Sequence, residues 1–373
     1  MNDQANHEEV ACPLCKGGDT EVTVMPYPLF RHIDFAEFHP GPNRIARCPS
    51  CGLVFRVVDD GEQRAIEAIY QSDEYVKHEE PHMLVIEGQD EPLPLARVQA
   101  RLLAPYLKAP GVSVLDIGCF DGQLLFEIGK ICDVCDLCGF DVAARPQFPR
   151  GKPFRFVSGK LSEIEGSFDL ITLSHSIQYV RDIHVLFENI RRLLKADGRV
   201  FIQVPDFSVK PSSLLLGDLN YHYTREILGN ICRRMAFKAQ FLDADCFPRD
   251  ILAIASRGAS AAQVAATMQD DLHGGVERIA ELVRRLEELA SETTVGVLGT
   301  TIDAAFVDQC LGARVAFFVD ENPGKVGKTF HGKRIMHPRS VRTADLVLIP
   351  MGASGDAIGA RLRTIYRGTY VCV

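Results

Sequence analysis

The sequence contains no run of roughly 18 apolar residues, the length that an α-helix needs to cross a bilayer. It also has no long basic run, and its formal net charge of −8 is opposite in sign to that of a phosphate-binding surface. Residues 1–10 are polar and acidic, unlike a secretory signal. We therefore expect a cytoplasmic protein that binds neither membranes nor nucleic acid.

Internal repeats and low-complexity tracts are absent as well. With 373 residues, of which 46% are hydrophobic and 24% charged, the chain is too long for one ordinary hydrophobic core. We expect two or three globular domains. The oligomeric state stays open, because no sequence pattern indicates it.

Four of the twelve cysteines are spaced as metal ligands, in the pairs Cys12/Cys15 and Cys48/Cys51. Disulfide frameworks belong to short secreted chains, so Cys-x-x-Cys pairs in an intracellular chain indicate a metal site. Four thiolates arrange tetrahedrally around one zinc ion. No fifth ligand or base lies in either pair, and we therefore predict a structural zinc.

Apolar strands and amphipathic helices alternate after the cysteine pairs, a pattern typical of a parallel sheet covered by helices. A smaller α/β pattern follows a long helix predicted over 261–291. The predicted strands of the two sheets are 113–117, 137–141, 169–174, 199–204 and 251–256, and then 295–298, 315–320 and 346–350.

The motif that carries chemistry is the strand-to-helix turn around Gly118, which follows a strand containing Asp116. Glycine lets the backbone approach a ligand where a Cβ would clash, although many such sheets have glycine there only for packing. Asp141 ends the next strand, where an acidic side chain accepts hydrogen bonds from two ribose hydroxyls.

A dinucleotide needs the fuller Gly-x-Gly-x-x-Gly cradle for its pyrophosphate, and this turn lacks it. The predicted ligand is therefore S-adenosylmethionine, which has an adenosyl group without phosphates. The residues predicted to bind it are Asp116, Gly118, Cys119, Asp121, Gly122, Asp141, Val142, Ser174 and His175.

Two later segments, 167–172 and 193–202, resemble the fourth and fifth strand motifs of class I S-adenosylmethionine-dependent methyltransferases. The whole chain resembles a narrower group, the sugar C-methyltransferases that act on nucleotide-linked keto sugars. This resemblance runs from the cysteine pairs through the Asp116 motif to the segment 319–328 and on to 345–350.

The resemblance implies four regions in an α/β protein. They are a zinc-binding module over 1–75, a Rossmann-like methyltransferase core over 76–257, a linking helix over 258–292 and a smaller Rossmann-like domain over 293–373. It also implies methylation of a nucleotide-linked keto sugar at carbon, with S-adenosylmethionine and a structural zinc as cofactors.

The catalytic positions depart from the family. The family has a Glu-His pair, whose His is a general base, where this chain has Asp218 and Leu219, and a second family His aligns with Tyr179. His222 is the nearest replacement base, although it could instead pack the helix that starts near Thr224.

We therefore predict a catalytic set and a set that lines the acceptor pocket. The catalytic set is His222, Tyr223 and Tyr179, and the acceptor set is Tyr75, His78 and Tyr221. Two other functions stay open: O- or N-methylation of a sugar or related metabolite, and a methyltransferase-like scaffold that binds a ligand without turnover.

Overall fold

The computed structural model describes residues 10–32, 34–38, 41–72, 75, 83–84, 92–132, 135–144, 154–258, 271–289, 294–352 and 355–373. The chain divides into two compact units, and neither is continuous in sequence. The first comprises Met1–Val24, Arg44–Pro205 and Leu219–Gln269, and the second comprises Met25–Asn43, Asp206–Asp218 and Asp270–Val373.

The strands of the described residues are numbered in chain order. They are β1 (Glu21–Met25), β2 (Asn43–Arg47), β3 (Val54–Arg56), β4 (Met83–Leu84), β5 (Leu93–Pro94), β6 (Val112–Ile117), β7 (Cys135–Asp141), β8 (Arg155–Ser158), β9 (Phe168–Ser174), β10 (Leu194–Pro205), β11 (Tyr221–His222), β12 (Phe237–Leu242), β13 (Asp250–Arg257), β14 (Val295–Leu298), β15 (Val315–Val319), β16 (Thr329–Phe330), β17 (Lys333–Met336), β18 (Leu346–Ile349) and β19 (Thr369–Cys372).

The α-helices with described bounds follow the same order. They are α1 (Asp60–Gln71), α2 (Leu95–Leu103), α3 (Gln123–Ile131), α4 (Ile183–Leu193), α5 (Arg225–Arg234), α6 (Asp271–Leu289), α7 (Ile302–Leu311) and α8 (Gly355–Ile365). None of these helices combines the length and the apolar character required to cross a membrane.

A seven-stranded sheet of order β12-β13-β10-β9-β6-β7-β8 forms the first unit. The strands from β10 to β8 are parallel, whereas β13 is antiparallel to β10 and to β12. The chain proceeds from β6 outward to β7 and β8, and then returns to the other side of β6 with β9 and β10. Open α/β sheets bind ligands at the carboxyl ends of their strands, where the strand order reverses. Here that point lies between β6 and β9.

Burial accounts for the continuous apolar character of the central strands. All six residues of β6 are buried, because helices cover both faces of a parallel sheet. The core of this unit joins Val114, Leu125, Ile128 and Leu170. Burying each such side chain stabilises the fold by about 1.5–3 kcal/mol.

A second sheet has the order β1-β2-β3-β11, and the Cys48/Cys51 pair lies in the connection between β2 and β3. Its last strand, β11, comes from far along the chain and pairs antiparallel with β3, placing Tyr221 opposite Phe55 and His222 opposite Val54. The sequence around His222 is therefore tied to the N-terminal module.

The second unit contains a six-stranded sheet of order β16-β17-β15-β14-β18-β19, parallel except for the β16–β17 pair. The second unit also includes the segments Met25–Asn43 and Asp206–Asp218, which hydrogen-bond to each other. The Phe30 amide donates to the Leu215 carbonyl at 2.9 Å, and the Gly217 amide donates to the Phe30 carbonyl at 2.8 Å. The predicted α/β class and both sheets are confirmed. The division into four regions remains a prediction, since the structure divides the chain into two units instead.

Candidate active site and metal centre

The four predicted zinc ligands lie together. The sulfur atoms of Cys12, Cys15, Cys48 and Cys51 all lie within 4.8 Å of one another. The Cys12 and Cys51 sulfurs are 3.5 Å apart, and those of Cys15 and Cys48 are 3.4 Å apart. Zinc–sulfur bonds of about 2.3 Å in a tetrahedron place sulfurs roughly 3.8 Å apart. The cluster therefore fits one zinc ion.

The two cysteine pairs fold as equivalent turns. Lys16 and Gly52, each directly after the second cysteine of its pair, have φ angles of 63° and 71°. Each of their amides donates to the carbonyl of the first cysteine, at 2.9 Å to Cys12 and 2.7 Å to Cys48. Such turns aim both thiols of a pair at one point, as a structural metal site requires.

Side chains of the core hold both turns in place. The His184 ring nitrogen Nε2 lies 2.9 Å from the Leu14 carbonyl, and the Asn230 amide donates to the Cys51 carbonyl. His184 belongs to α4 and Asn230 to α5. Residues of two helices that pack on the seven-stranded sheet therefore contact the backbone of the cysteine turns.

The glycine turn, residues 118–122, connects β6 to α3. The amides of Gly118 and Cys119 both donate to the Phe140 carbonyl, at 2.8 and 3.0 Å. A Cβ on Gly118 would lie 2.6 Å from the Ser176 Cβ, and a Cβ on Gly122 would lie 2.3 Å from the Phe154 ring. Both glycines also have positive φ angles. The packing explanation for these glycines therefore holds, whether or not a ligand is bound.

Asp141 has its carboxylate directed at the glycine turn. One oxygen accepts from the Phe120 amide at 3.0 Å, and the other accepts from the Ala143 amide at 3.3 Å. A carboxylate has about four acceptor positions, so one carboxylate can accept from backbone amides and from hydroxyl donors at the same time. Cys119 is buried beside the turn, and Val142 is exposed at the end of β7.

Asp116 is buried at the same edge of the sheet. Its carboxylate accepts from the Thr172 hydroxyl at 2.6 Å. Burial is the main cause that raises the pKa of Asp116 to about 7; the negative charges of Asp141 and Asp121 act in the same direction, and the Thr172 hydrogen bond opposes them. Three carboxylates at one edge favour a ligand that carries positive charge.

The post-β9 loop, residues 175–180, lies against the glycine turn through Ser176. His175 opens this loop with a φ of 52°, and its amide donates to the Gln203 carbonyl at 2.9 Å. The preceding Ser174 hydroxyl accepts from the Gln99 amide at 2.6 Å. The predicted donor-binding residues after β9 are thus fixed by neighbouring strands and by α2.

Four aromatic rings continue from the glycine turn to this loop. Ring centroids lie 5.2 Å apart for Phe120 and Tyr75, 4.8 Å for Tyr75 and Tyr70, and 5.1 Å for Tyr70 and Tyr179. Tyr75 of the predicted acceptor set and Tyr179 of the predicted catalytic set therefore share one aromatic cluster next to the predicted donor site. His78 lies outside the described residues.

Three predicted site residues at β11 are interior: Tyr221 of the acceptor set, and His222 and Tyr223 of the catalytic set. Tyr221 donates its hydroxyl to the Arg181 carbonyl at 2.9 Å, and Tyr223 donates to the Ile177 carbonyl at 3.4 Å. His222 is only 2% exposed, and burial and the nearby Arg56 charge lower its pKa to about 3. The structure therefore argues against His222 as the general base, since a base must reach its substrate.

Sequence reasoning missed several residues of this edge. Phe120 and Tyr70 join the aromatic cluster, while Gln99, Gln203 and Asp250 form a polar network beside Ser174 and His175. A glutamine inside the apolar strand β10 was a readable signal, because buried polar groups require partners. Nothing in the sequence pattern pairs Asp250 with His175.

Residues 89–246 match a protein family described as a methyltransferase domain. The trans-aconitate 2-methyltransferase of Enterobacter sp. (strain 638) is 26% identical over 149 residues, which are 38% of this chain and 56% of that protein. The match therefore spans about half the length of this relative.

Two solved structures are also similar. One is an O-methyltransferase family protein from Burkholderia thailandensis, 16% identical over 44% of this chain and 57% of that chain, with a TM-score of 0.36. The other is an S-adenosylmethionine-dependent methyltransferase from Clostridium acetobutylicum, 13% identical over 44% and 91% of the respective chains, with a TM-score of 0.35. The family match identifies the central region, residues 89–246, as a methyltransferase domain.

The cysteine cluster is expected to bind one zinc ion per chain, and Cys48→Ser is expected to release it. Loss of one of four thiolates removes much of the binding free energy that supports such a fold, so we expect the Tm to fall by roughly 5 °C or more. Elemental analysis and thermal unfolding measure both effects. Cys246→Ser, at a half-buried cysteine outside the cluster, is the control; equal zinc content in the two variants would contradict the site.

His222 is expected to make the fold less stable in acid. Its pKa is about 3 in the folded chain, against an ordinary 6.5, so below pH 6.5 the unfolded chain binds a proton that the folded chain excludes. The contribution of neutral His222 to the free energy of unfolding is complete above pH 6.5. It declines as the pH falls towards 3, by up to about 1.4 kcal/mol per pH unit. Denaturant unfolding of the wild type and His222→Gln between about pH 4 and 8 measures this. Parallel pH profiles would refute the buried neutral state, and His273→Gln, at an exposed histidine of α6, controls for loss of a histidine elsewhere.

Proposed function

We propose that this chain binds S-adenosylmethionine at the glycine turn and transfers its methyl group to carbon of a nucleotide-linked keto sugar. The Asp141 carboxylate carries the donor assignment. It lies at the end of β7, next to the reversal of strand order, and its oxygens accept from the amides of Phe120 and Ala143. That hydrogen bonding orients the carboxylate before a ribose arrives.

The charge at this edge supports the same donor. Burial is the main cause of the raised pKa of Asp116, and the negative charges of Asp121 and Asp141 add to it. A phosphate-bearing cofactor would add negative charge here, whereas S-adenosylmethionine brings a sulfonium and an ammonium group. When bound, it supplies a methyl group already activated for nucleophilic attack, so the chain's residues have to position the acceptor and remove its proton.

The sugar acceptor is inferred from the organisation of the chain. A four-cysteine cluster precedes the methyltransferase region, and a second α/β sheet follows it, as in the sugar C-methyltransferases. The segment 319–328 that carries the resemblance is ordered: Lys325 donates to the Thr300 hydroxyl at 2.8 Å and lies 3.6 Å from the Asp320 carboxylate. These contacts support, at the level of architecture, a small-molecule acceptor of this class.

A second candidate is methylation at oxygen or nitrogen of a sugar or related metabolite. The residue that replaces the family acid, Asp218, is fully buried and accepts from the His32 amide at 2.9 Å. This is a structural position, and the following Leu219 cannot transfer protons. Because this chain lacks the family's Glu-His pair, oxygen and nitrogen, which are more easily deprotonated than carbon, become reasonable methyl acceptors.

Asp141→Ala is expected to weaken S-adenosylmethionine binding by at least about tenfold, because each lost hydrogen bond to a charged group is worth roughly 1.5–3 kcal/mol. Calorimetric titration measures the dissociation constant. Asp141→Asn retains an acceptor for the Phe120 amide and separates loss of binding from distortion of the turn. Asp136→Ala, at the other end of β7, is the matched control. Equal affinity in all four proteins would refute the donor placement.

Turnover with labelled S-adenosylmethionine tests the acceptor class. A panel of nucleotide-linked 4-keto sugars, the corresponding hydroxyl sugars and amino sugars distinguishes carbon, oxygen and nitrogen acceptors by mass and NMR of the product. We expect label in a new carbon–carbon bond of a keto sugar. Label only in a methyl ether or methylamine would select the second candidate, and binding of the donor without any transfer would contradict both.

A further inference from the structure

A histidine and a carboxylate face each other at the carboxyl edge of the sheet. The Nε2 atom of His175 lies 3.3 Å from an Asp250 carboxylate oxygen. The His175 side chain is 29% exposed, and that of Asp250 is 18% exposed. One ring nitrogen is thus engaged by a carboxylate while part of the ring remains accessible, unlike the ring of His222.

Two glutamines hold the carboxylate in place. The Gln99 amide donates to the Gln203 side-chain oxygen at 2.8 Å, so the amide nitrogen of Gln203 faces the other way. That nitrogen donates at 2.7 Å to the same Asp250 oxygen that lies next to His175. Gln99 and Gln203 are buried, and their hydrogen bonds fix the position of Asp250.

The position of the pair matches the needs of an acceptor site. His175 directly precedes Ser176, the residue packed on Gly118 of the glycine turn. Asp250 begins β13 and lies opposite Pro205 of β10. The donor residues Asp116 and Asp141 belong to β6 and β7, so the His175–Asp250 pair lies on the side of β9 away from them.

The backbone at His175 is strained. Its φ of 52° is a left-handed conformation, which is unfavourable for a residue with a Cβ. Such strain persists where the surrounding structure fixes the residue, and strained residues cluster at active sites. The unfavourable backbone conformation of His175 therefore supports a functional role for its side chain.

We infer that His175 is the general base of the methyl transfer and that Asp250 is its positioning residue. This inference rests on the proposed function. The carboxylate 3.3 Å from Nε2 favours a proton on that nitrogen, and the neutral imidazole then keeps its lone pair on Nδ1 for the acceptor. The sequence-based assignments, His222 as base and His175 as donor ligand, are thereby replaced.

The step balances in protons and electrons. Nδ1 of His175 accepts the proton of the acceptor O–H or C–H bond, and the electron pair left on that atom forms the bond to the methyl carbon. The carbon–sulfur bond breaks with its electron pair on sulfur, which becomes a neutral thioether. The resulting imidazolium is stabilised by the Asp250 carboxylate and later releases its proton to water.

The first test needs neither acceptor nor turnover. Nitrogen-15 NMR of the ring nitrogens identifies which of them carries the proton, in the free protein and with S-adenosylhomocysteine as the probe. We expect the Nε2–H form at His175, and a shift towards the Nδ1–H form in Asp250→Asn. An Nδ1–H form in the wild type would overturn the inference. His273, paired with Glu277 at 3.1 Å on an exposed helix face, is the control histidine.

The second test uses the acceptor that gives turnover in the panel. His175→Asn keeps a residue that tolerates the left-handed backbone, and kcat is expected to fall by about 10² or more, with donor affinity changed by less than about threefold. His175→Gly leaves space for added imidazole, which should raise the kcat of this variant at least tenfold. An unchanged kcat in His175→Asn would overturn the role of His175 as the base. Equal losses of kcat and donor affinity, with no rescue of His175→Gly by imidazole, would overturn it as well. His273→Ala should keep the wild-type rate.

These tests separate two failures. If no acceptor is methylated, the proposed function fails while the ring-nitrogen measurement still decides the geometry of the His175–Asp250 pair. If methylation proceeds equally well in His175→Asn, the proposed function stands and the base assignment fails. Thermal unfolding of each variant shows whether a loss of rate comes from a loss of fold.

Discussion

The close approach of the post-β9 loop to the glycine turn is the constraint on which this site depends. Ser176 lies so near Gly118 that a Cβ on the glycine would be 2.6 Å from the serine Cβ. The contact joins the ends of β6 and β9, the two strands that flank the reversal of strand order. It therefore sets the distance between the donor carboxylates on one side and His175 on the other.

The N-terminal module acts on the site through the same loop. The first cysteine turn precedes β1, the second connects β2 to β3, and β3 pairs with β11. Beside β11, Asn220 donates through its side chain to the Tyr179 carbonyl at 2.9 Å and through its backbone to the Gln178 carbonyl at 2.8 Å. The N-terminal module thus contacts the post-β9 loop through Asn220, and we expect a zinc ion at the cysteine cluster to stabilise this loop indirectly.

Sequence patterns predicted the sheets, the cysteine cluster and the glycine turn, since each depends on residues close together in the chain. The spacing within Cys12/Cys15 and Cys48/Cys51 defines its own ligand set, and apolar runs define buried strands. The role of His222 was predicted from chain position alone, and burial in the β3–β11 pair argues against it. The His175–Asp250 pair spans 75 residues and is joined only by the fold, so no local pattern reveals it.

The central claim is that the donor and the base meet at the edge formed by β6, β7 and β9. A crystal structure of the protein with S-adenosylhomocysteine tests this most directly. The account predicts ribose hydroxyls within hydrogen-bond distance of the Asp141 carboxylate, and the thioether sulfur facing the side of the sheet that carries His175. An adenosyl group bound elsewhere, or a sulfur directed away from His175, would contradict it.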